Sequence, residues 1–309
     1  MTSAATIEHL EVADASAKLH QWLSGIPGPV VALTGAGIST DSGIPDYRGP
    51  NGSYSRGHKP MKHDEFMGSH RNRQRYWSRS TVGWQWFSAA RPNDAHRALA
   101  ALEAAGKISG VITQNVDMLH QRAGSAAVVD LHGVNSRVVC MGCGATAPRH
   151  ALQAQLAARN AAWLEALSAV DGGLSAAARR ADGDVDVEVE GFELCDCEAC
   201  GGVLKPDVVF FGDNVPQARV RQCFDMVAAA DGLLVVGSSL AVYSGFRFVE
   251  AAVKQGKPVA ILNQGPTRAE KAGLPILKLE AGCSAVLRAV AQEWPRQDLI
   301  LQNGVVNSS

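Results

Sequence analysis

The sequence predicts an α/β fold: a doubly wound parallel sheet with a smaller zinc-binding module set into it. Three observations carry this reading. Short apolar runs rich in valine and isoleucine recur without polar alternation, helix-like segments lie between several of them, and two Cys-x-x-Cys pairs stand where that rhythm breaks. A strand with one wet face alternates polar and apolar residues, whereas a strand covered on both faces need not. Continuous runs that take turns with helices therefore argue for a parallel sheet with helices on both faces.

The runs fall at residues 30–33, 111–112, 128–129, 208–211, 233–236 and 259–262, and each is read as a buried strand. Helices are expected over 93–105, where Pro92 and Gly106 supply start and stop signals, and over 217–230, 245–255 and 284–293. Two regions depart from the pattern. Residues 48–88, rich in Arg, His, Trp and Gly, read as loops and helices over the ligand edge of the sheet. Residues 137–205 hold the cysteine pairs, an alanine-rich helix over 150–170, and an acidic run over 182–193 that reads as a solvated loop or edge strand.

Composition narrows the classes. Of 309 residues, 46% are apolar and 19% charged, an ordinary globular balance, and the length suits one large or two ordinary domains. A chain this long buries about 75% of its unfolded surface and needs no staple. Lys and Arg total 29 against 30 Asp and Glu, so the net charge of −1 supplies no bulk field for nucleic acid. No run reaches the ~20 apolar residues of a membrane helix. The N-terminus carries acids early and lacks a basic stretch followed by an apolar one, so a cytoplasmic, reducing setting is expected. In such a setting clustered cysteines read as metal ligands.

The first strand runs into Thr34-Gly35-Ala36-Gly37-Ile38-Ser39-Thr40. A glycine turn between a strand and a helix start lets amide groups face a phosphate. The dinucleotide pattern is incomplete, because Thr40 replaces its third glycine and no strand-end acid follows about 20 residues on. The turn is thus either a phosphate cradle or a plain strand–helix turn. The turn-rich segment after it, with Arg48, could fold over an anion.

Cys140, Cys143, Cys197 and Cys200 form two knuckles separated by 53 residues and fit a tetrahedral zinc site. Four thiolates fill the metal's shell, so the site is structural. Cys195 makes a poorer knuckle with Cys197 and is left out, and Cys223 reads as a small buried hydrophobe. Polar groups also crowd the predicted strand ends: Gln114-Asn115-Val116-Asp117, Asp130-Leu131-His132-Gly133, Gly237-Ser238-Ser239 and Asn263-Gln264-Gly265. Ligands of open α/β sheets bind outside the carboxyl ends of strands. His132 is the candidate proton acceptor, and the other eight histidines are read as structural.

These motifs, with KPDVVFFGD, resemble in order those of the sirtuin family, NAD-dependent protein-lysine deacylases, from about Val30 to Cys283. RQRYWSR, VGW and VYSG resemble its class II branch, found in bacteria and mitochondria. The resemblance implies a Rossmann-like NAD-binding domain over 1–47, 89–136 and 206–300, a helical and loop lid over 48–88, the zinc module over 137–205, and a tail over 301–309. It implies that NAD is consumed as co-substrate and that the partners are acyl-lysine proteins, with no dedicated nucleic-acid or membrane binding. His132 matches the catalytic base. Gly35, Ala36, Gly37, Asp46, Tyr47 and Arg48 match NAD contacts around the diphosphate and the loop beside it. Gln114, Asn115 and Asp117 match the nicotinamide end and its ribose. Gly237, Ser238 and Ser239 match the second phosphate, while Asn263, Gln264, Gly265 and Cys283 match the adenosine end. Val209, Gly212, Asp213 and Val242 match strands that clamp the substrate peptide by strand addition.

Tyr47 departs from the family's frequent phenylalanine and Asp213 from its glutamate, and the zinc module carries an insert. Tyr76 and Arg79 show the Tyr-x-x-Arg spacing of sirtuins that remove acidic acyl groups. The branch-like Trp77 context aligns them differently with the family, so an acidic preference is not expected. Rival readings are a protein mono-ADP-ribosyltransferase, a non-catalytic zinc-ribbon module and a hydride-transferring dehydrogenase. The missing ribose-binding acid counts against the last.

Overall fold

The structure, a computed structural model, describes residues 11–50, 52–55, 57, 59–169, 187 and 189–294. Its strands are β1 (Val30–Thr34), β2 (Ile108–Thr113), β3 (Val128–Asp130), β4 (Gly133–Cys140), β5 (Thr146–Pro148), β6 (Leu204–Val208), β7 (Gly232–Val236), β8 (Val259–Leu262) and β9 (Leu277–Leu279). Its helices are α1 (Val12–Ser24), α2 (His63–Gly68), α3 (His70–Ala89), α4 (Asp94–Ala104), α5 (Leu119–Ala123), α6 (Arg149–Arg159), α7 (Ala161–Ala169), α8 (Gln217–Ala229), α9 (Tyr243–Lys254), α10 (Arg268–Lys271) and α11 (Cys283–Gln292). Six strands form a parallel sheet in the order β3-β2-β1-β7-β8-β9. A second sheet, β5-β4-β6, is antiparallel.

Burial explains why the strands do not alternate. Val30 and Ala32 of β1 pack with Leu99, Leu102 and Leu287 on one face of the sheet. Val31 and Leu33, one residue out of phase, pack with Val227, Phe248 and Val249 on the other. Both faces of β1 are dry, so each of its positions is apolar. Helix α4 begins where a side chain caps it: Asn93 Oδ1 accepts from the amides of Ala95 (2.9 Å) and His96 (3.3 Å).

Two expectations are corrected. The run at 208–211 is not a strand of the parallel sheet. It begins at the end of β6, which pairs antiparallel with β4, and then leaves the ladder. Its apolar side chains serve a different core, in which Phe210 meets Phe66 and Tyr76 at ring distances of 5.5 and 5.2 Å. The helix expected over 150–170 is two helices divided at Asn160. That side chain binds the backbone of Glu193 at both its amide (2.6 Å) and its carbonyl (2.9 Å), which ties the helix junction to a distant segment. Val170 and, within the acidic run, residues 182–186 and 188 lie outside the described residues, as do the tail over 301–309 and residues 295–300. The run's far end is not solvated: Phe192 is fully buried, 5.1 Å from the Trp163 ring. Among the described residues no helix is long and apolar enough to cross a membrane.

Candidate active site

A cleft of about 1910 Å³ lies along the carboxyl ends of the parallel strands, under the segment that carries α2 and α3. The glycine turn after β1 opens a single 3-10 turn, Ala36–Ile38, followed by another, Thr40–Ser42, rather than the expected α-helix. Its glycines are required by close approach to the turn after β7. A Cβ on Gly35 would stand 2.8 Å from the Ser238 Cβ, and the Gly37 amide donates to the Gly237 carbonyl at 2.9 Å. The two turns, far apart in sequence, are thus one packed unit.

Beneath it lies a polar network built from the loop after β2. Gln114 Nε2 donates to Ser238 Oγ (2.9 Å) and to the Thr34 carbonyl (3.2 Å). Asn115 Nδ2 donates to the Gly35 carbonyl and to Ser39 Oγ, each at 3.1 Å. Ser39 Oγ donates to Asp117 Oδ2 at 2.7 Å, and Asp117 Oδ1 accepts the Leu119 amide at 2.9 Å. Burial raises the Asp117 carboxyl despite these bonds. Behind this layer the His96 and His120 rings sit 4.8 Å apart, and burial pushes His96 down to about 4 and His120 well below its usual value. Both bond within the fold and not to the cleft: His120 Nε2 lies 2.9 Å from Thr34 Oγ1, and His96 Nδ1 3.0 Å from Asn93 Oδ1.

His132 differs. Its Nδ1 lies 2.9 Å from the Gln114 carbonyl, which can only accept, so Nδ1 carries the proton. Nε2 is therefore the basic nitrogen, and Ser244 Oγ lies 2.8 Å from it. Burial, with smaller contributions from Arg219 and Arg247, brings this imidazole down to about 4, against a weaker upward pull from the Gln114 carbonyl. The ring is neutral at physiological pH and can accept a proton from a group placed in the cleft.

Other residues expected at the site lie along the same cleft. The Asp46–Tyr54 loop folds on itself through Asp46 Oδ1, which accepts the Gly49 amide at 2.8 Å, and Arg48 lies 4.9 Å over the Tyr54 ring. Tyr47 stands between Tyr54 and Phe211. The Val209 amide donates to the His132 carbonyl at 2.8 Å, tying the segment after β6 to the histidine. Gly212 and Asp213 follow it outside any strand, and Asp213 Oδ2 is 3.3 Å from His63 Nδ1. Val242 caps α9. All the expected nucleotide, peptide and proton-accepting residues line the cleft except Asp117 and Cys283. Asp117 supports the wall from behind, and Cys283, at the start of α11, points its Sγ at the Leu262 carbonyl (3.7 Å).

Several lining residues escaped the sequence analysis. Ser244 and Arg247 sit in the first turns of α9, and Glu280 follows β9, a strand of three residues too short to read as one. Glu280 accepts the Gly265 amide beside Asn263 and Gln264. Tyr76 and Arg79 also line the cleft, because α3 runs beside it, and Arg75 joins them.

The four cysteines gather away from the cleft lining. Their sulfurs all lie within 4.8 Å of one another, with Cys140–Cys200 at 3.5 Å and Cys143–Cys197 at 3.9 Å. Tetrahedral zinc with bonds of about 2.3 Å sets its sulfurs about 3.8 Å apart. The amides of Gly142 (3.3 Å) and Cys143 (3.5 Å) donate to the Cys140 sulfur, an arrangement that suits a thiolate ligand. The donor set therefore fits a structural zinc ion. Cys195 stands outside the cluster, and Cys223 is fully buried, as expected.

A parallel sheet whose polar side chains converge on one cleft at its carboxyl edge defines a nucleotide-binding α/β protein, here with a separate four-cysteine metal module. Residues 35–244 match the model of the Sir2 family, and the chain belongs to that family. An NAD-dependent protein deacetylase of Xanthomonas campestris pv. campestris is 53% identical over 263 residues, covering 84% of this chain and 86% of the relative. An NAD-dependent protein deacylase of Arabidopsis thaliana is 48% identical over 268 residues, covering 84% and 71% respectively. A solved Sir2 structure with a histidine replaced by alanine, a deacetylated p53 peptide and 3′-O-acetyl-ADP-ribose superimposes with a TM-score of 0.70 at 30% identity. It covers 90% of this chain and 97% of its own.

Proposed function

We propose that the chain is an NAD-dependent protein-lysine deacylase that consumes NAD and releases nicotinamide and O-acyl-ADP-ribose. The observation that carries the assignment is His132, a neutral imidazole on the cleft wall with Nδ1 fixed by a carbonyl and Nε2 basic. The acyl-lysine amide oxygen displaces nicotinamide from C1′ of its ribose. His132 Nε2 takes a proton through the ribose hydroxyls, and the 2′ oxygen attacks the resulting imidate carbon. Lysine then leaves as the amine, a water adds to the acyl carbon in its place, and the acyl group stays on ADP-ribose.

Gly35, Ala36, Gly37, Arg48, Gly237, Ser238 and Ser239 line the diphosphate region of this reading. Asp46, Tyr47, Gln114 and Asn115 line the nicotinamide end, and Asn263, Gln264 and Gly265 the adenosine end. Asp117 acts through Ser39, which it shares with Asn115. The peptide lies between the 209–213 segment and Val242. The NAD-binding unit comprises 1–47, 89–136 and 206–300, covered by 48–88 and joined to the zinc module at 137–205. A cytoplasmic setting keeps the ligand thiols reduced. Tyr76 and Arg79 on the cleft wall make acyl chains ending in a carboxylate a second substrate class to try.

A panel of acetyl-, longer acyl- and succinyl-lysine peptides with NAD, scored by mass spectrometry, tests the reading. Turnover with soluble O-acyl-ADP-ribose is the expected result. Label from NAD retained on protein, with no deacylated peptide, would favour the ADP-ribosyltransferase instead.

A further inference from the structure

We propose that Ser244 is a positioning residue for His132: its hydroxyl occupies Nε2 in the substrate-free protein and holds the ring ready until a substrate hydroxyl takes that place. The inference rests on the reading of His132 as the base. Imidazole Nε2 has one lone pair, so Ser244 and a ribose hydroxyl compete for the same acceptor. With Nδ1 donating to the Gln114 carbonyl, the Ser244 hydroxyl is the donor to Nε2, at 2.8 Å.

The fold places both restraints at one junction. Ser244 is the second residue of α9, and Gly245 follows it. A Cβ on Gly245 would stand 2.6 Å from Gln114 Oε1, so only glycine lets the helix start approach the residue that grips the other ring nitrogen. The ring is thus held between the loop after β2 and the first turn of α9. The charged groups that face it are Arg219 from α8 and Arg247 from α9, and both oppose its protonation.

The hydroxyl donates to Nε2 of the neutral ring and can turn to accept from the protonated one, so the bond is read from the nitrogen itself rather than from the titration midpoint. The experiment follows the His132 side-chain nitrogen resonances by NMR in the substrate-free wild type, Ser244→Ala and Ser244→Thr proteins at a pH where the ring is neutral. Ser244→Ala is expected to move the Nε2 resonance to the position of an acceptor without a donor, and Ser244→Thr, which keeps the hydroxyl, to match the wild type. Coincident Nε2 resonances of wild type and Ser244→Ala would overturn the inference, as would an equal shift in Ser244→Thr. The NMR measurement needs no turnover, so it decides the hydrogen bond independently. Failure of the base assignment would appear instead as an active His132→Ala protein.

Discussion

Replacing Gly245 by alanine sets two effects of known sign against each other. Gly245 lies in the first turn of α9 without a left-handed backbone, so alanine gains about 1 kcal/mol in helix propensity. The new Cβ would stand 2.6 Å from Gln114 Oε1 and 2.8 Å from its Cδ. Those atoms end a flexible side chain, so Gln114 swings away rather than the helix breaking. It then loses its bonds to Ser238 Oγ and the Thr34 carbonyl, about 1 kcal/mol each. The net loss of stability is about 1 kcal/mol, within reach of a denaturant titration and compatible with a folded protein. Function suffers more, because the displaced amide leaves the cleft wall. One lost bond to the bound nucleotide corresponds to about tenfold in kcat/KM for NAD. Steady-state kinetics with an acyl-lysine peptide, on protein shown by circular dichroism to be folded, measures this. Wild-type kcat/KM for NAD in Gly245→Ala would refute the contact and the role given to Gln114.

Acid should destabilise the protein. His96 and His132 fall from 6.5 to about 4 on folding, so below pH 6.5 the unfolded chain binds protons the folded chain refuses. Their stabilising contribution is intact above pH 6.5 and drains away by pH 4, about 3 kcal/mol for each ring, while Asp117 and Asp130, whose carboxyls are raised by burial, act in the opposite sense. Melting temperatures from pH 7 to 4 should fall, and a flat profile would contradict the burial of these rings. Elemental analysis should find one zinc per chain, reduced to near zero in Cys197→Ser; full zinc in that variant would exclude the four-sulfur site. Asn160→Ala should lose about 2 kcal/mol in denaturant unfolding, because the Glu193 amide and carbonyl lose their partner; an unchanged midpoint would show that junction to be dispensable.

The parallel sheet was legible because its strands are dry on both faces, as the opposite phases of Val30 and Val31 show. The cysteine module was legible because ligand spacing is local in sequence. The run at 208–211 misled because continuous apolar character reports burial but not the partner. Phe210 is buried against Phe66 and Tyr76, contacts no periodicity reveals. The part of the cleft lining at the strand ends, including Gln114, Asn115, His132, Ser238 and Asn263, was readable from the polar residues there. Ser244 and Arg247 were not, since a helix start displays no strand to point at them, and β9 was too short to announce Glu280. That Tyr76 and Arg79 reach the cleft follows only from the path of α3.

Mass spectrometric counting of nicotinamide, deacylated peptide and O-acyl-ADP-ribose from one reaction tests the proposal that His132 drives acyl transfer to NAD-derived ADP-ribose. The wild type should give the three in equal amounts, and His132→Ala should lose about 10²- to 10⁴-fold in all of them together, the range of a general base. Equal turnover by His132→Ala, or deacylation without O-acyl-ADP-ribose, would contradict it.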